Sequence, residues 1–171
     1  LFCGEPGVGK THLAVGLLRE LSMTRSVESR FVDFFDLLGQ LKAGYDSGRG
    51  EAEILEPLTA VDVLVVDELG KGRSSEWERA VLDQLIGQRY NRSRTTIFTT
   101  NYPLRRSDRV QEPEGLVALE SIDDVSALLG AECLEDRVGK RAYSRILEMC
   151  KPIVLRGASD YRLRRFRDGA E

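Results

Sequence analysis

The sequence carries a phosphate-binding loop close to its first residue. Residues 4–11 read Gly4-Glu5-Pro6-Gly7-Val8-Gly9-Lys10-Thr11, which matches the pattern G-x-x-x-x-G-K-[ST]. Glycine lets such a loop curl so that its backbone N–H groups point at phosphate oxygens. Lys10 supplies positive charge to the β- and γ-phosphates, and the Thr11 hydroxyl is placed to bind Mg²⁺. The pattern predicts a site for a nucleoside triphosphate.

Two acidic residues follow an apolar run in the middle of the chain. Residues 63–66 are all apolar, which is typical of a central parallel strand, and Asp67 and Glu68 come next. Open α/β sheets bind ligands at the carboxyl ends of their strands. We expect Asp67 to hold Mg²⁺ through its water shell and Glu68 to orient or deprotonate an attacking water. A strand that merely ends in solvated acids is the alternative, and the loop upstream favours catalysis.

Asn101 and His12 are further polar candidates for the nucleotide site. Asn101 directly follows the β-rich segment 95–100, where its amide would reach the γ-phosphate and the water. Asparagine is also an ordinary turn residue at such a position. His12 is the single histidine, and on the first turn of a predicted helix it would come near the phosphates. A packed or solvent-facing histidine is the common alternative.

The apolar pattern alternates between strands and helices along the chain. Strands are predicted at residues 1–3, 30–33, 61–66, 95–100 and 153–155. Helices are predicted at residues 11–21, 34–41, 52–58, 123–129 and 134–150. A further helix is predicted after an N-cap at Ser74 or Ser75, and its aromatic residues Trp77 and Tyr90 are expected to face the core. Residues 105–132 are interpreted as a surface insertion. The alternation predicts an α/β fold in which helices cover both faces of a five-stranded parallel sheet.

Length and composition indicate one soluble globular domain that spans residues 1–171. The chain is 42% apolar and 31% charged, and no apolar run approaches the ~20 residues of a membrane span. The cysteines at 3, 133 and 150 lack metal-site spacing, and with no signal peptide visible we expect a cytoplasmic protein. Because Leu1 already lies in a predicted strand, we expect a fragment that lacks an N-terminal partner-binding region.

Basic residues concentrate near the end of a chain whose net charge is −3. Residues 137–167 contain ten basic and two acidic side chains, a net charge of +8. Such a segment indicates a nucleic-acid surface, a solvated face, or arginines directed at a neighbouring subunit's nucleotide. Arg137, Arg141 and Arg145 are four residues apart, which predicts one row on the helix 134–150. We predict no base-stacking platform of aromatic side chains among these basic residues.

Together these motifs resemble those of the AAA+ ATPases, and more narrowly those of the DnaC-type bacterial helicase loaders. The similar segments are GKTHL at 9–13, VVDELG at 65–70, TTNYP at 99–103, LEDRVGKR at 134–141, SRILEMC at 144–150 and DYR at 160–162. The resemblance implies slow Mg²⁺-dependent ATP hydrolysis, a P-loop fold without a helical lid domain, a replicative helicase as partner and single-stranded DNA as a ligand.

The resemblance also implies roles for two arginines. Arg145 matches the finger that acts in trans on a neighbour's ATP, which implies self-assembly, and Arg162 matches the residue that senses the γ-phosphate. Arg141 is the nearby alternative for the finger, and each of the three also fits a surface arginine on an amphipathic helix. Three other functions remain open: an IstB-like helper of DNA transposition, a small-molecule P-loop kinase, and a nucleotide-gated binding module without turnover.

Overall fold

The computed structural model describes residues 1–104 and 132–155, and every structural statement below concerns these residues. They form, in chain order, β1 (Phe2–Gly4), α1 (Lys10–Arg25), β2 (Ser29–Asp33), α2 (Phe34–Asp46), α3 (Glu51–Ala60), β3 (Val63–Asp67), α4 (Glu76–Asn91), β4 (Thr95–Thr100), α5 (Leu134–Val138), α6 (Lys140–Met149) and β5 (Ile153–Leu155). Strands and helices alternate as the sequence predicts.

The five strands form one parallel sheet in the order β2-β3-β4-β1-β5. In this order β4 lies between β3 and β1, with Val66 opposite Phe98 and Cys3 opposite Thr100. The carboxyl ends of these three strands therefore meet at one edge of the sheet, where open α/β sheets bind ligands. The predicted fold class is confirmed.

Two apolar clusters lie on opposite faces of the sheet because strand side chains alternate. Val65 of β3 packs with Phe2 and with Ala14 of α1, whereas its neighbours Leu64 and Val66 belong to a larger core with helices α2 to α6. Helices therefore cover both faces. On the α1 face, the cluster contains only strand and α1 side chains.

The apolar stripe predicted for α1 is only partly buried. Ala14 is fully buried and Leu18 packs against the cluster, but Leu13 and Leu17 are each 44% exposed. Helix α1 therefore packs on the sheet through a narrow strip of side chains that includes Ala14 and Leu18. The 3.6-residue period identifies this helix correctly and overestimates the width of its buried face.

The predicted helix over residues 134–150 is wrong in one respect, because it is two helices. Gly139 adopts a φ of +84°, its N–H donates to the Glu135 carbonyl at the end of α5, and α6 begins at the next residue. A residue with positive φ and extended ψ interrupts an α-helix, and glycine adopts such a conformation without the penalty of a Cβ. Arg137 therefore lies on a different helix from Arg141 and Arg145, and the predicted row of three arginines does not form.

The capping prediction for α4 is confirmed at Ser75. Its hydroxyl accepts from the Glu78 N–H, and the Glu78 carboxylate accepts from the Ser75 N–H in return, which forms a capping box. The predicted helix at 123–129, residues 105–131 of the predicted insertion, and Arg162 lie outside the described residues. None of the described helices is long and apolar enough to cross a bilayer.

Arg89 of α4 is a buried arginine that the sequence does not single out. It is 1% exposed and donates to the carbonyls of Leu58, Val61 and Thr95 at 2.7, 3.0 and 2.6 Å, and to the Thr96 hydroxyl at 2.9 Å. Burial lowers the pKa of Arg89 to about 10, so the side chain stays charged at neutral pH. It joins the end of α3 to the start of β4.

Candidate functional site

The phosphate-binding loop connects β1 to the N-terminus of α1. Gly4, Gly7 and Gly9 all have positive φ, and a Cβ on Gly4 would lie 2.5 Å from the Leu155 carbonyl oxygen of β5. Glycine is therefore required at Gly4 by the close approach of a neighbouring strand. The loop leads into a 16-residue helix whose first N–H groups have no partner within the helix, which makes this end a suitable binding place for an anion.

Lys10 is the first residue of α1, and its side chain folds back over the loop. It is 6% exposed, and its ammonium donates to the carbonyls of Gly4 at 2.9 Å and Glu5 at 2.7 Å. The charge is thus held among the loop residues that the motif assigns to phosphates. Glu5 and Pro6 are exposed, and Val8 is half-buried.

His12 is exposed on the first turn of α1 and follows Thr11 in the chain. The structure shows no packing role for His12, and its proposed part in nucleotide binding stays a prediction.

The Thr11 hydroxyl and the Asp67 carboxylate are in direct contact. Thr11 Oγ1 lies 3.0 Å from both Oδ1 and Oδ2 of Asp67, although the two residues are 56 positions apart in the sequence. Asp67 is 5% exposed at the end of β3. The structure therefore brings together the two residues that the sequence predicts as the Mg²⁺ site, and their oxygen atoms are the ligand type that Mg²⁺ prefers.

Glu68 follows Asp67 with an unusual backbone conformation. Its φ is +55°, and its N–H donates to the Thr99 hydroxyl at 3.0 Å. Its carboxylate is about a third exposed and pairs with the Lys71 ammonium, a hydrogen bond that raises the pKa of Lys71. The side chain of Glu68 is thus accessible to water at the edge of the sheet, with Lys71 as its partner.

Asn101 lies at the same edge of the sheet. It is exposed and directly follows β4, one residue beyond the pair formed by Thr100 and Cys3. The register therefore places Asn101 beside Gly4, the first residue of the phosphate-binding motif. The sequence prediction that Asn101 belongs to this edge agrees with the topology, and its contact with nucleotide stays a prediction.

Arg145 lies on α6 and contacts α4 of its own chain. Its Nη1 donates to Asp83 Oδ1 at 2.8 Å, with the two side chains 27% and 30% exposed. Nη1 also lies 3.1 Å from the position that a Cβ on Gly87 would take. Arg141, the alternative finger, is exposed on the same helix. The finger role of Arg145 or Arg141 on a neighbouring subunit stays a prediction.

Arg137 lies beside the candidate site, and the sequence does not predict the orientation of its side chain. Its side chain is 10% exposed and donates to the carbonyls of Gly70 and Gly72 in the loop that follows Glu68. The guanidinium also lies 5.1 Å from the ring centroid of Tyr102, next to Asn101. Arg137 therefore fixes the loop after β3 against the segment after β4.

Aromatic and cationic side chains pair on α2, on the loop after β3 and at the start of α4. Lys71 lies 5.8 Å from the ring centroid of Phe35, and Lys42 lies 5.1 Å from that of Trp77. Tyr45 packs edge-on against Trp77 at 6.3 Å, and Phe35 and Tyr45 are each about half exposed. Trp77 is therefore at the border of the core, where only part of it packs inward as predicted. We call these five residues the cation–aromatic patch.

Comparisons with known proteins find relatives in sequence and in fold. Residues 1–119 match the family model described as IstB-like ATP binding protein. The replicative helicase loader DnaC of Escherichia coli K12 is 33% identical over 102 residues, which cover 59% of this chain and 41% of the relative. DnaC of Buchnera aphidicola from Baizongia pistaciae is 31% identical over 108 residues, covering 61% and 43%. The chain spans about two fifths of the length of these curated relatives.

Solved structures show the same fold. The crystal structure of the DnaC helicase loader matches with a TM-score of 0.68 and 35% identity, covering 91% of this chain and 76% of that one. Domain III of the Thermotoga maritima replication initiation protein DnaA matches with a TM-score of 0.65 and 14% identity, covering 99% and 62%, which is a likeness of fold alone.

Proposed function

Because this chain belongs to the family of IstB-like ATP-binding proteins, we propose that it is an ATP-hydrolysing AAA+ switch that loads a replicative helicase onto single-stranded DNA. The observation that carries the catalytic part is the contact between Thr11 and Asp67. The phosphate-binding loop and the acidic end of β3 are far apart in the sequence, and this contact joins them at the carboxyl edge of the sheet. Glu68 follows Asp67 directly at the same edge. Paired oxygen atoms at this edge are the arrangement that a Mg²⁺ site for a nucleotide requires, which supports the catalytic part of the proposal.

The residues at this edge fit MgATP. The helix N-terminus and the glycine loop fit the phosphates, while the Thr11 hydroxyl and the Asp67 carboxylate fit Mg²⁺. The metal ion would neutralise charge on the β- and γ-phosphates when bound. Lys10 would exchange its present acceptors, the carbonyls of Gly4 and Glu5, for phosphate oxygens.

Hydrolysis needs a water that is oriented and deprotonated close to the γ-phosphate. We assign this to Glu68, whose carboxylate is accessible and which would give up Lys71 as its partner, and to Asn101, whose amide would orient the water from β4. Arg145 of one subunit would stabilise transition-state charge at the site of another, and Arg162 would sense the γ-phosphate. These roles are proposals for the assembled protein.

The DNA and helicase parts of the proposal rest on different observations. Half-exposed aromatic rings beside lysine ammonium groups, as in the cation–aromatic patch, are the chemistry that binds single strands by base stacking and phosphate attraction. The helicase part rests on similarity to proteins named helicase loaders, which cover more than the present chain. The proposed task is cytoplasmic, because the helicase acts on chromosomal DNA.

An IstB-like role in DNA transposition is the second candidate, and the description of the family model that matches residues 1–119 favours it. Both candidates share the ATPase site and differ in the protein they bind. A binding measurement with purified replicative helicase and with purified IS21-type transposase separates them. The loader proposal predicts nucleotide-dependent binding to the helicase, and binding to the transposase alone would replace it with the second candidate.

The ATPase part is tested with Lys10→Ala. Loss of the Lys10 charge should abolish ATP binding, measured by fluorescence of a labelled ATP analogue, and with it all hydrolysis. Arg19→Ala, an exposed change on the same helix, is the matched control and should bind as the unaltered protein does. A Lys10→Ala protein that binds ATP with unchanged affinity would contradict the phosphate-loop assignment.

A further inference from the structure

Thr99 connects the two acidic residues of the candidate site. It lies on β4 and is 1% exposed. Its hydroxyl donates to Asp67 Oδ1 and accepts from the Glu68 N–H at 3.0 Å. Its backbone carbonyl accepts from the Leu69 N–H at 2.8 Å. One threonine therefore contacts three consecutive residues at the end of β3.

The direction of these hydrogen bonds is fixed by the number of protons available. An ionised carboxylate only accepts hydrogen bonds, so the single hydroxyl proton of Thr99 must point at Asp67. The lone pairs of the same oxygen are then left for the Glu68 N–H. Because Thr99 is buried, water does not compete for either bond, and both are stronger than they would be at the surface.

The consequence for Asp67 is a fixed carboxylate orientation. Thr11 lies 3.0 Å from both carboxylate oxygens, while Thr99 contacts only Oδ1. Two hydroxyls from α1 and β4 thus approach the carboxylate of β3 and restrict its rotation. A carboxylate that is held in this way is preorganised for a metal ion, as hydrogen-bonded metal ligands generally are.

The consequence for Glu68 concerns its backbone. An extended residue after Asp67 would point to the opposite face of the sheet, because strand side chains alternate. Glu68 instead has a φ of +55°, which is unfavourable for a residue with a Cβ. The hydrogen bond from its N–H to Thr99 helps to hold this conformation, and with it the direction of the Glu68 side chain.

We infer that Thr99 is a positioning residue for ATP hydrolysis, which acts through Asp67 and Glu68 without touching the nucleotide. The inference rests on the proposed function, since it assigns Thr99 a role in that reaction. It gives a role to the first residue of the TTNYP segment, in which the sequence analysis assigns a role only to Asn101.

Thr100 offers a matched control on the same strand. It is fully buried, its hydroxyl donates to the Leu69 carbonyl at 2.8 Å and accepts from the Tyr102 N–H at 3.2 Å. Thr100→Val removes the same chemical group at the same depth but leaves Asp67 and Glu68 untouched. Thr99→Val replaces the hydroxyl by a methyl group of similar size, and Thr99→Ser keeps the hydroxyl.

The first measurement is amide hydrogen exchange of the nucleotide-free protein. Thr99→Val should lower the protection of the Glu68 amide about two- to tenfold, the factor expected from one hydrogen bond, whereas Thr99→Ser and Thr100→Val should leave it near the unaltered value. The amides of Leu64 and Val65 inside β3 report whether the sheet is intact in each variant. Unchanged exchange of the Glu68 amide in Thr99→Val would overturn the inference.

The second measurement separates binding from turnover. Thr99→Val should lower kcat about 10- to 100-fold and raise the Mg²⁺ concentration needed for tight ATP binding, while ATP affinity without Mg²⁺ stays unchanged. Thr99→Ser should recover most of the loss. An equal loss in Thr100→Val, or no recovery in Thr99→Ser, would show general damage to the strand and overturn the inference. If the unaltered protein hydrolyses no ATP, the proposed function fails, and the exchange data and the Mg²⁺ dependence of binding still decide the role of Thr99.

Discussion

In the proposed trans role, Arg145 would exchange its contact with Asp83 of its own chain for the nucleotide of a neighbouring subunit. The pair is joined by one hydrogen bond of 2.8 Å between side chains that are 27% and 30% exposed. Ion pairs with solvent access contribute about 0.2–1 kcal/mol, and we take the upper value because this pair is half-buried. One kcal/mol corresponds to about a fivefold change in an equilibrium. Release of Arg145 therefore costs at most about a factor of five.

From this estimate, we predict that Asp83→Asn raises the assembly-dependent rate of ATP hydrolysis by up to about fivefold. Asparagine keeps the shape of aspartate and loses the charge, so Arg145 spends more time free to reach a neighbour. Arg145→Ala should remove the same assembly-dependent rate, by as much as about 10³-fold, and leave ATP binding by the monomer intact. The two changes at one ion pair thus have opposite effects, which loss of a structural contact does not produce.

The assay is ATP turnover as a function of protein concentration, with and without single-stranded DNA. Glu76→Gln removes an exposed negative charge from the same helix α4 and is the matched control for Asp83→Asn. Mixing Arg145→Ala protein with Glu68→Gln protein provides an independent test, because the Glu68→Gln subunit supplies an intact finger to the intact site of the other. Partial activity should return in the mixture.

Three results would refute this reasoning. A fall in turnover in Asp83→Asn that equals the fall in Arg145→Ala would mean that the ion pair itself is needed. Loss of ATP binding by the Arg145→Ala monomer would mean that the residue acts in cis. No recovery at any mixing ratio, with Arg141→Ala showing the expected loss instead, would assign the finger to Arg141.

Three further predictions concern other contacts. Lys71→Met should raise ATP turnover about two- to fivefold, because it frees Glu68 from an exposed ion pair. Steady-state kinetics measure this, and a lower kcat would indicate that Lys71 itself assists catalysis. Arg89→Met should lower the free energy of unfolding by about 4 kcal/mol, because it leaves several buried carbonyls without donors; urea denaturation checks this, and a loss below about 1 kcal/mol would contradict it. Gly4→Ala should destabilise the protein, because the added Cβ would meet the β5 backbone, whereas Gly16→Ala, with open space around it in α1, should stabilise the protein by about 1 kcal/mol. Thermal unfolding measures both variants, and melting temperatures that shift in the same direction would be inconsistent with this packing.

The sequence predicts most of the fold because its signals are local. The strands at 95–100 and 153–155 have the predicted bounds, and the Ser75 cap and the apolar run before Asp67 are placed correctly. Each of these features depends on a few consecutive residues. The parallel order of the sheet then follows from the alternation of strands and helices.

What the sequence does not predict depends on the environment of a side chain. Nothing in the sequence around Arg89 and Arg137 distinguishes them from surface arginines. Both nevertheless donate hydrogen bonds to backbone carbonyls that only the tertiary fold brings close to them. The break at Gly139 depends on a positive φ that a glycine permits but does not require. Trp77 and Phe35 meet lysines from other parts of the chain, so the cation–aromatic patch has no linear pattern.

The candidate site also combines residues that the sequence predicts with a residue that it does not. The motif residues Lys10, Thr11 and Asp67 are found together because their spacing reflects a known binding geometry. Thr99 belongs to the TTNYP segment, but the sequence does not predict its role, since threonine is common in strands and its contacts with Asp67 and Glu68 depend on the register of β4 against β3. The catalytic roles of Glu68, Asn101 and Arg145 stay predictions.

In the proposed function, the carboxyl edge of the sheet binds ATP and hydrolyses it through Glu68. The most direct test measures ATP affinity and single-turnover hydrolysis of Glu68→Gln beside the unaltered protein. We expect unchanged affinity and hydrolysis slower by about 10²–10⁴-fold, the usual effect of losing a general base. Equal hydrolysis rates, or a loss of affinity that accounts for the slower rate, would contradict it.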